Sequence, residues 1–92
     1  MTREASIWQG IEQHHIALAA PLLIARGAKG MLACGYINPA TCEKTGEACA
    51  IVTGVKSFDD MLEAKVIAVS EAAQILGVEV GQSGREALET FR

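Results

Sequence analysis

Apolar residues divide the chain into a strand-rich first part, residues 1–36, and a mainly helical second part, residues 37–92. In the first part, Ile7 and Ile11 share one parity, whereas Ile16, Leu18 and Ala20 share the opposite one. Because successive side chains of a strand point to opposite faces, this change of parity predicts a turn or bulge near residues 10–15.

Glycines and apolar runs define the predicted sheet. Gly27 and Gly30 separate residues 22–25 from residues 31–34, which predicts a β-hairpin with a loop of about five residues. Residues 16–20 and 22–25 are apolar throughout, so strands formed by them present apolar side chains on both faces. Such strands need cover on both sides, and the helices of one chain suffice for one side. We therefore expect a homo-oligomer that assembles through this N-terminal sheet.

Helix-start signals recur along the second part. Asn38 and the proline after it form an N-cap pattern, which predicts a helix that continues to about Ala48. Ser57 is followed by an aspartate three residues later, as in a capping box, and begins a short helix. Ser83 begins a further capping box, which predicts a C-terminal helix with an apolar stripe.

Strand signals are fewer in the second part. Residues 50–53 have the pattern of a short buried strand that ends at Gly54. The spacing of apolar residues over 65–76 favours a helix that stops at Gly77, while the β-branched residues at 65–69 favour a competing strand. The whole chain is therefore predicted as one α+β domain, with a mainly antiparallel N-terminal sheet and three or four short helices around one further strand.

Composition and charge exclude several classes of function. Half of the residues are apolar and 21% are charged, which argues against disorder. The net charge of −3 gives no electrostatic footprint for nucleic acid or an anionic membrane. The longest apolar run, residues 16–25, is too short for a membrane-spanning helix, which needs about 20 residues. Residues 1–6 lack the apolar stretch of an export signal, so we expect a cytoplasmic protein with reduced thiols.

The three cysteines are the first candidate for chemistry. Cys34, Cys42 and Cys49 lack the Cys-x-x-Cys spacing that metal and iron–sulfur sites use. On a helix that reaches residue 48, Cys42 and Cys49 share a face about 10 Å apart along the axis, too far for a disulfide. Cys34, on the preceding strand, is placed to face that helix. Buried, unreactive thiols are one interpretation, and a reactive thiol or a metal or iron–sulfur site is the other.

The start of the C-terminal helix is the second candidate. Arg85 lies in the first turn, where its charge opposes the helix dipole, and a bound anion would explain its position. An ion pair with Glu89, or a salt bridge to another subunit, is the alternative. A small anionic metabolite is therefore predicted to bind near Cys34, Gly35, Ser83, Gly84 and Arg85.

Other motifs give weaker signals. Residues 53–57 resemble a P-loop but lack its spacing, although Lys56 can add positive charge to a nearby pocket. His14 and His15 are neighbours on a predicted strand, so they cannot both bind one metal ion. The sequence therefore assigns no catalytic residue, no cofactor and no resident metal, and it leaves open whether the protein is an enzyme.

Three stretches carry a family resemblance: residues 32–36 (LACGY), residues 52–62 (VTGVKSFDDML) and residues 72–88, which end in GQSGREAL. In this order and spacing they resemble the YunC-like proteins of bacteria and archaea, a family of unknown function. The resemblance implies an α/β protein whose N-terminal β region forms a tetramer, and it implies no chemistry. Gln82 stands where the family pattern has methionine, and Cys42 and Cys49 lie outside that pattern.

Two functions remain after this step. The first is a structural or regulatory homo-oligomer that binds a small anionic metabolite. The second is a thiol-based enzyme or a metal-binding or iron–sulfur redox protein that uses Cys34 with Cys42 and Cys49.

Overall fold

The computed structural model describes residues 5–92, which form one five-stranded sheet and five short helices. Residues 1–4 belong to the stretch examined above for an export signal and lie outside the described residues. No helix in the described part of the chain is long and apolar enough to cross a membrane. The strands are β1 (Glu12–Ile16), β2 (Leu22–Arg26), β3 (Met31–Ala33), β4 (Cys49–Ile51) and β5 (Ala68–Val69), and the helices are α1 (Ala5–Trp8), α2 (Pro39–Thr45), α3 (Phe58–Glu63), α4 (Glu71–Ile75) and α5 (Gly84–Phe91).

The sheet has the strand order β1-β2-β3-β4-β5 and is antiparallel except between β3 and β4. The predicted hairpin between β2 and β3 is confirmed, and the N–H of Gly27 donates to the carbonyl of Gly30 across its loop at 2.8 Å. The α+β class and the mainly antiparallel sheet are also confirmed. The second part contributes two strands, β4 and β5, where one was predicted.

The two faces of the sheet are covered to different extents. On one face, Leu23, Leu32 and Val52 pack with residues of α3 and α5 in a larger core. On the other face, Ala33 and Ile51 pack with α2 in a smaller core. Beyond α2, all five residues of β1 are exposed, because no element of the described chain lies over that end of the sheet. Because successive residues of β1 point to opposite faces, both faces of the sheet are uncovered at that end.

The N-terminal region differs from the prediction in its details. Residues 5–8 form α1, so the strand predicted around Ile7 is wrong, and Ile7 is buried in the larger core. The predicted turn falls at Gly10, where φ is +80°, but it does not extend to residue 15 because β1 already begins at residue 12. After β1, residues 17–20 form an exposed bend instead of continuing the strand.

The helix predicted to reach Ala48 ends at Thr45. Gly46 adopts φ +76°, and its N–H bonds back to the carbonyl of Cys42, which closes the helix with a left-handed cap. The chain then reverses, so Cys49 begins β4 and lies beside β3. The predicted N-cap is confirmed, because the Asn38 side chain accepts a hydrogen bond from the N–H of Ala40 at 2.9 Å.

The helix favoured over residues 65–76 is wrong in its first half. Residues 68–69 form β5, and the N–H of Ile67 donates to the carbonyl of Ile51 at 2.9 Å. The N–H of Val66 likewise donates to the carbonyl of Gln82 at 2.8 Å. These long-range bonds satisfy the backbone in an extended form, so the β-branched preference prevails there. The helix begins only at Glu71, after the N-cap Ser70.

Candidate functional site

A cleft of about 640 Å³ lies at the carboxyl ends of the parallel pair β3 and β4. One wall is residues 34–36, which follow β3, and the opposite wall is residues 53–56, which follow β4. Residues 19–21, from the bend between β1 and β2, form the third wall. In α/β proteins, ligands bind in crevices beyond the carboxyl ends of parallel strands, because the chains diverge there into separate connections. This cleft is therefore the candidate functional site.

The cleft is mostly apolar and carries one charged side chain. Its third wall is two alanines and Pro21, and its β4 wall includes the buried side chain of Val55. Lys56 is the charged residue of the lining, and Thr53 supplies a hydroxyl group. Tyr36 stands at the opposite rim with 49% of its surface exposed. An apolar body with one anionic group matches this distribution.

The backbone of Lys56 is held by the start of α3. The N–H of Lys56 donates to a carboxylate oxygen of Asp60 at 3.0 Å, and the N–H of Asp60 donates to the hydroxyl of Ser57 at 3.1 Å. The Ser57 N-cap is the one that the sequence predicted, but the predicted capping box is incomplete, because the Asp60 carboxylate accepts from the N–H of Lys56 and not from that of Ser57. Because the cap fixes the backbone, the position from which the Lys56 side chain leaves toward the cleft is also fixed.

Two glycines shape the walls. A Cβ at Gly35 would meet the methyl carbon of Thr53 at 3.1 Å, so glycine allows the two walls to approach each other closely. Gly54 has φ +72°, which a side chain disfavours, and it turns the chain between Thr53 and Lys56.

Cys34 forms part of the wall next to β3 and is the free cysteine of the chain. Its side chain is 4% exposed, and its sulfur accepts a hydrogen bond from the N–H of Leu23 at 3.3 Å. Its own N–H donates to the carbonyl of Leu23 at 3.1 Å, which extends the pairing of β3 with β2. The thiol is therefore fixed in position at the inner side of the cleft.

Cys42 and Cys49 are joined by a disulfide, with a Cα–Cα distance of 6.5 Å. The predictions of reduced thiols and of a pair too far apart to bond are wrong, because α2 ends before residue 46 and the chain folds back. Both cysteines lie in the smaller core, whereas Cys34 packs in the larger core on the opposite face of the sheet. Cys34 therefore does not face α2. Among residues 5–92, no group of three His, Cys, Asp or Glu side chains is placed to hold a metal ion.

Ser83, Gly84 and Arg85 lie outside the cleft. The predicted capping box is confirmed: the N–H of Glu86 donates to the hydroxyl of Ser83 at 3.1 Å, and the carboxylate of Glu86 accepts from the N–H of Ser83 at 2.9 Å. The N–H of Gly84 donates to the carbonyl of Ala64 at 2.8 Å. Arg85 is exposed. The structure thus brings Cys34 and Gly35 together in the cleft and places the other three predicted binding residues at the start of α5. There, the N–H groups of Gly84 and Glu86 already have hydrogen-bond partners within the chain.

The two histidines occupy the exposed strand β1. The ring of His14 and the guanidinium of Arg26 each donate to the carboxylate of Glu12 at 3.1 Å. The bond from His14, followed by the bond from Arg26, lowers the pKa of Glu12 below its ordinary value of 4.5. The group is fully exposed and lies at the edge of the sheet, away from the cleft.

Sequence reasoning identified Cys34 and Gly35, and the motif at residues 53–57 with Lys56, but it missed Tyr36 and the wall at residues 19–21 as parts of the site. The available signal was the pair of glycines, because Gly35 and Gly54 each follow a predicted buried strand. Only the parallel pairing of those strands places the glycines on opposite walls of one cleft.

Comparisons with known proteins identify relatives of unknown function. The family model described as "Domain of unknown function (DUF1805)" matches residues 33–91. The uncharacterized protein YunC of Bacillus subtilis (strain 168) is 38% identical over 63 residues, which cover 64% of this chain and 62% of YunC. The chain thus spans less than two thirds of that relative.

A crystal structure of a protein of unknown function from Thermoplasma acidophilum has a similar fold. It superposes with a TM-score of 0.77 at 34% identity, over 89% of this chain and 93% of that one. The family match includes the two cleft walls at residues 34–36 and 53–56 and excludes the third wall at residues 19–21.

Proposed function

This chain belongs to the DUF1805 family, and we propose that it is the ligand-binding domain of a homo-oligomer. In this proposal its role is structural or regulatory, its location is the cytoplasm, and it assembles through the N-terminal strands as a tetramer, as the family resemblance implies. Its ligand is a small anionic metabolite with an apolar body. The ligand lies in the cleft between residues 34–36 and residues 53–56.

The observation that carries the proposal is the cleft itself. A concave, mostly apolar site with few polar groups is typical of small-molecule binding sites, and its volume lies within their usual range of about 300–1,000 Å³. Lys56 is the one charge in the lining, so it selects an anion and orients it. A monoanion such as a carboxylate suits a single ammonium group.

The test is a thermal shift measurement with octanoate, compared with the uncharged octanamide. At ten times its Kd, a ligand stabilises the folded state by about 1.4 kcal/mol, which raises Tm by about 6–11 °C in a domain of this size. We expect octanoate to raise Tm, octanamide to have a smaller effect, and Lys56→Gln to remove the difference between them.

Arg85→Gln is the matched control, because it removes one exposed positive charge outside the cleft. If octanoate stabilises Lys56→Gln as well as wild type but does not stabilise Arg85→Gln, the anion binds at the start of α5, as the sequence first suggested. If no carboxylate affects any of the three proteins, the cleft is not the binding site of an amphipathic anion.

A thiol-based enzyme is the second candidate, and the position of Cys34 in the cleft wall supports it. In this version Cys34 acts without Cys42 and Cys49, since those two form a disulfide on the opposite face of the sheet. Native protein treated with iodoacetamide and analysed by mass spectrometry separates the candidates. If iodoacetamide modifies Cys34 rapidly and octanoate slows the reaction, Cys34 is a reactive thiol in the ligand site. If Cys34 stays unmodified, the thiol-based enzyme is excluded and the binding function is the remaining candidate.

A further inference from the structure

Two walls of the cleft belong to one crossover connection, which runs from β3 through α2 to β4. The wall at residues 34–36 follows β3 and leads into α2, and the wall at residues 53–56 follows β4. The disulfide joins Cys42 of α2 to Cys49, the first residue of β4. It therefore connects the helix that follows one wall to the strand that precedes the other.

The β4 end of the disulfide is held in place by other bonds. The N–H of Cys49 donates to the hydroxyl of Ser70 at 3.0 Å, and the N–H of Ser70 donates to the carbonyl of Cys49 at 3.0 Å. Cys49 also pairs with Met31 in the parallel ladder between β3 and β4. The strand therefore keeps its place when the sulfur–sulfur bond is broken.

The α2 end depends far more on the disulfide. The helix has seven residues, and Cys42 is the one of them that is buried. A helix shorter than about 12–15 residues is not stable in water without tertiary contacts. A second attachment is exposed to solvent: the carboxylate of Glu43 accepts from the N–H of Glu71 at 2.7 Å. Breaking the disulfide therefore frees α2 and leaves β4 in the sheet.

The wall at residues 34–36 is held between β3 and α2. Cys34 is fixed on the β3 side by its two bonds with Leu23. Gly35 and Tyr36 are exposed, so their position depends on the segments before and after them. The segment after them is Ile37, which packs against the smaller core next to α2. Release of α2 therefore loosens the outer part of this wall.

We propose that the disulfide between Cys42 and Cys49 is a redox switch, and that its reduction by a dithiol releases α2 and weakens ligand binding in the cleft. This inference rests on the proposed function, because it concerns the regulation of the same cleft. In the cytoplasm proposed above, disulfides are usually transient or redox-sensing, since dithiol and glutathione systems keep thiols reduced.

The reduction is a two-step thiol–disulfide exchange. A thiolate of the dithiol attacks one sulfur of the disulfide and forms a mixed disulfide, while the other sulfur leaves as a thiolate and takes up a proton. The second thiol of the reductant, after losing its proton, then attacks the reductant's own sulfur in the mixed disulfide. Cys42 and Cys49 end as thiols and the reductant as a cyclic disulfide, so the dithiol supplies both electrons and both protons.

Ligand binding and reduction are coupled in both directions. The two sulfurs lie beneath α2, with Cys42 1% and Cys49 0% exposed, so a reductant reaches them only when the helix lifts from the sheet. A ligand that needs the wall in its fixed position binds the closed form more tightly. It must therefore oppose the lifting of α2 by the same factor by which the lifting weakens its binding.

The first experiment is calorimetric titration of octanoate into the full chain, oxidised and after reduction with dithiothreitol. We expect the reduced form to bind about ten-fold more weakly, within the usual range of such couplings. The double variant Cys42→Ala/Cys49→Ala is the control for other effects of the reductant and should bind equally with and without it. Reduced protein that is folded by circular dichroism and binds as tightly as the oxidised form overturns the switch, while the proposed function stands. Absence of binding by both forms overturns the proposed function and the switch with it.

The second experiment measures how fast dithiothreitol reduces the folded, oxidised protein, and so does not require a stable reduced form. Free thiols are alkylated at intervals and counted by mass spectrometry. Saturating octanoate should slow the reduction by up to about ten-fold, the factor expected for binding. A rate that octanoate leaves unchanged, although the oxidised protein binds it, overturns the coupling.

Three variants test whether the lifting of α2 exposes the bond. Glu43→Ala removes the contact with Glu71 and should speed the reduction, whereas Lys44→Ala, at the next exposed position of the same helix, should not. Gly84→Ala weakens the larger core on the other face of the sheet. Faster reduction in Gly84→Ala than in Glu43→Ala would mean that the whole domain unfolds before the bond is reached, which overturns release of α2 as the step. Equal rates in Glu43→Ala and Lys44→Ala overturn it as well.

Discussion

Gly84 and Met61 are in backbone contact, and a Cβ at position 84 would overlap the carbonyl oxygen of Met61. This contact joins α5 to α3, and the N–H of Gly84 also bonds to the carbonyl of Ala64. Gly84, which lies inside the GQSGREAL stretch that carries the family resemblance, therefore has a packing role.

Gly84→Ala is expected to destabilise the protein by about 2–4 kcal/mol, because the added methyl group forces the two helices apart in a tightly packed core. Urea unfolding measures the change. The matched control is Glu89→Ala, an exposed position on the same helix, for which we expect a change within about 0.5 kcal/mol. Equal stability of Gly84→Ala and wild type would show that α5 shifts to accommodate the methyl group.

Ser70 is the one buried polar side chain among the described residues, and it joins three segments. Its hydroxyl accepts from the N–H groups of Cys49 at 3.0 Å and Ala73 at 3.3 Å, and donates to the carbonyl of Glu47 at 2.8 Å. Ser70→Ala leaves these groups without a partner and should cost about 2–3 kcal/mol in chemical unfolding. Ser57→Ala removes an exposed N-cap and should cost about 1 kcal/mol. Equal losses of stability for the two variants would contradict the conclusion that the buried hydroxyl of Ser70 contributes more than an ordinary exposed N-cap.

The disulfide between Cys42 and Cys49 closes a short loop. Its sequence separation of 7 corresponds to an entropic stabilisation of about 2.5 kcal/mol. Reduction of wild type with a phosphine should therefore lower Tm, while the double variant Cys42→Ala/Cys49→Ala should show no response to the reductant. A Tm of wild type that is insensitive to reductant would mean that the pair contributes nothing to folding or is reduced from the start.

The carboxylate of Glu12 gives an acid-dependent contribution to stability. Hydrogen bonds from His14 and Arg26 lower its pKa in the folded state, so its contribution is present above the unfolded value near 4.5 and is lost as the pH falls through the folded value. The Tm difference between wild type and Glu12→Gln should therefore shrink as the pH falls from 7 to below 4.5. A difference that stays constant over that interval would rule out this pairing in solution.

The sequence alone predicted features that depend on a few neighbouring residues. The caps at Asn38, Ser57 and Ser83 are hydrogen bonds between residues two or three positions apart, so the local sequence contains both partners. The hairpin loop between Gly27 and Gly30 is equally local.

Errors occurred where distant segments decide the backbone. Residues 65–69 have helical spacing, yet Val66 and Ile67 bond to Gln82 and Ile51, and these partners become available only when the chain has folded. The disulfide was missed because α2 ends at Thr45 and not near Ala48, and the reversal at Gly46 then brings Cys49 toward Cys42.

The sequence by itself determined the α+β class and the helix starts at Asn38, Ser57 and Ser83, because these follow from local hydrogen bonds and from the period of apolar residues. Only the tertiary structure decided the cleft. Cys34 and Lys56 lie 22 positions apart in the sequence, and they line one site because β3 and β4 pair in parallel and end at the same edge of the sheet. The parallel pairing depends on contacts between residues that are far apart in the sequence. It is stabilised because both strands are buried between α2 on one face and the larger core on the other.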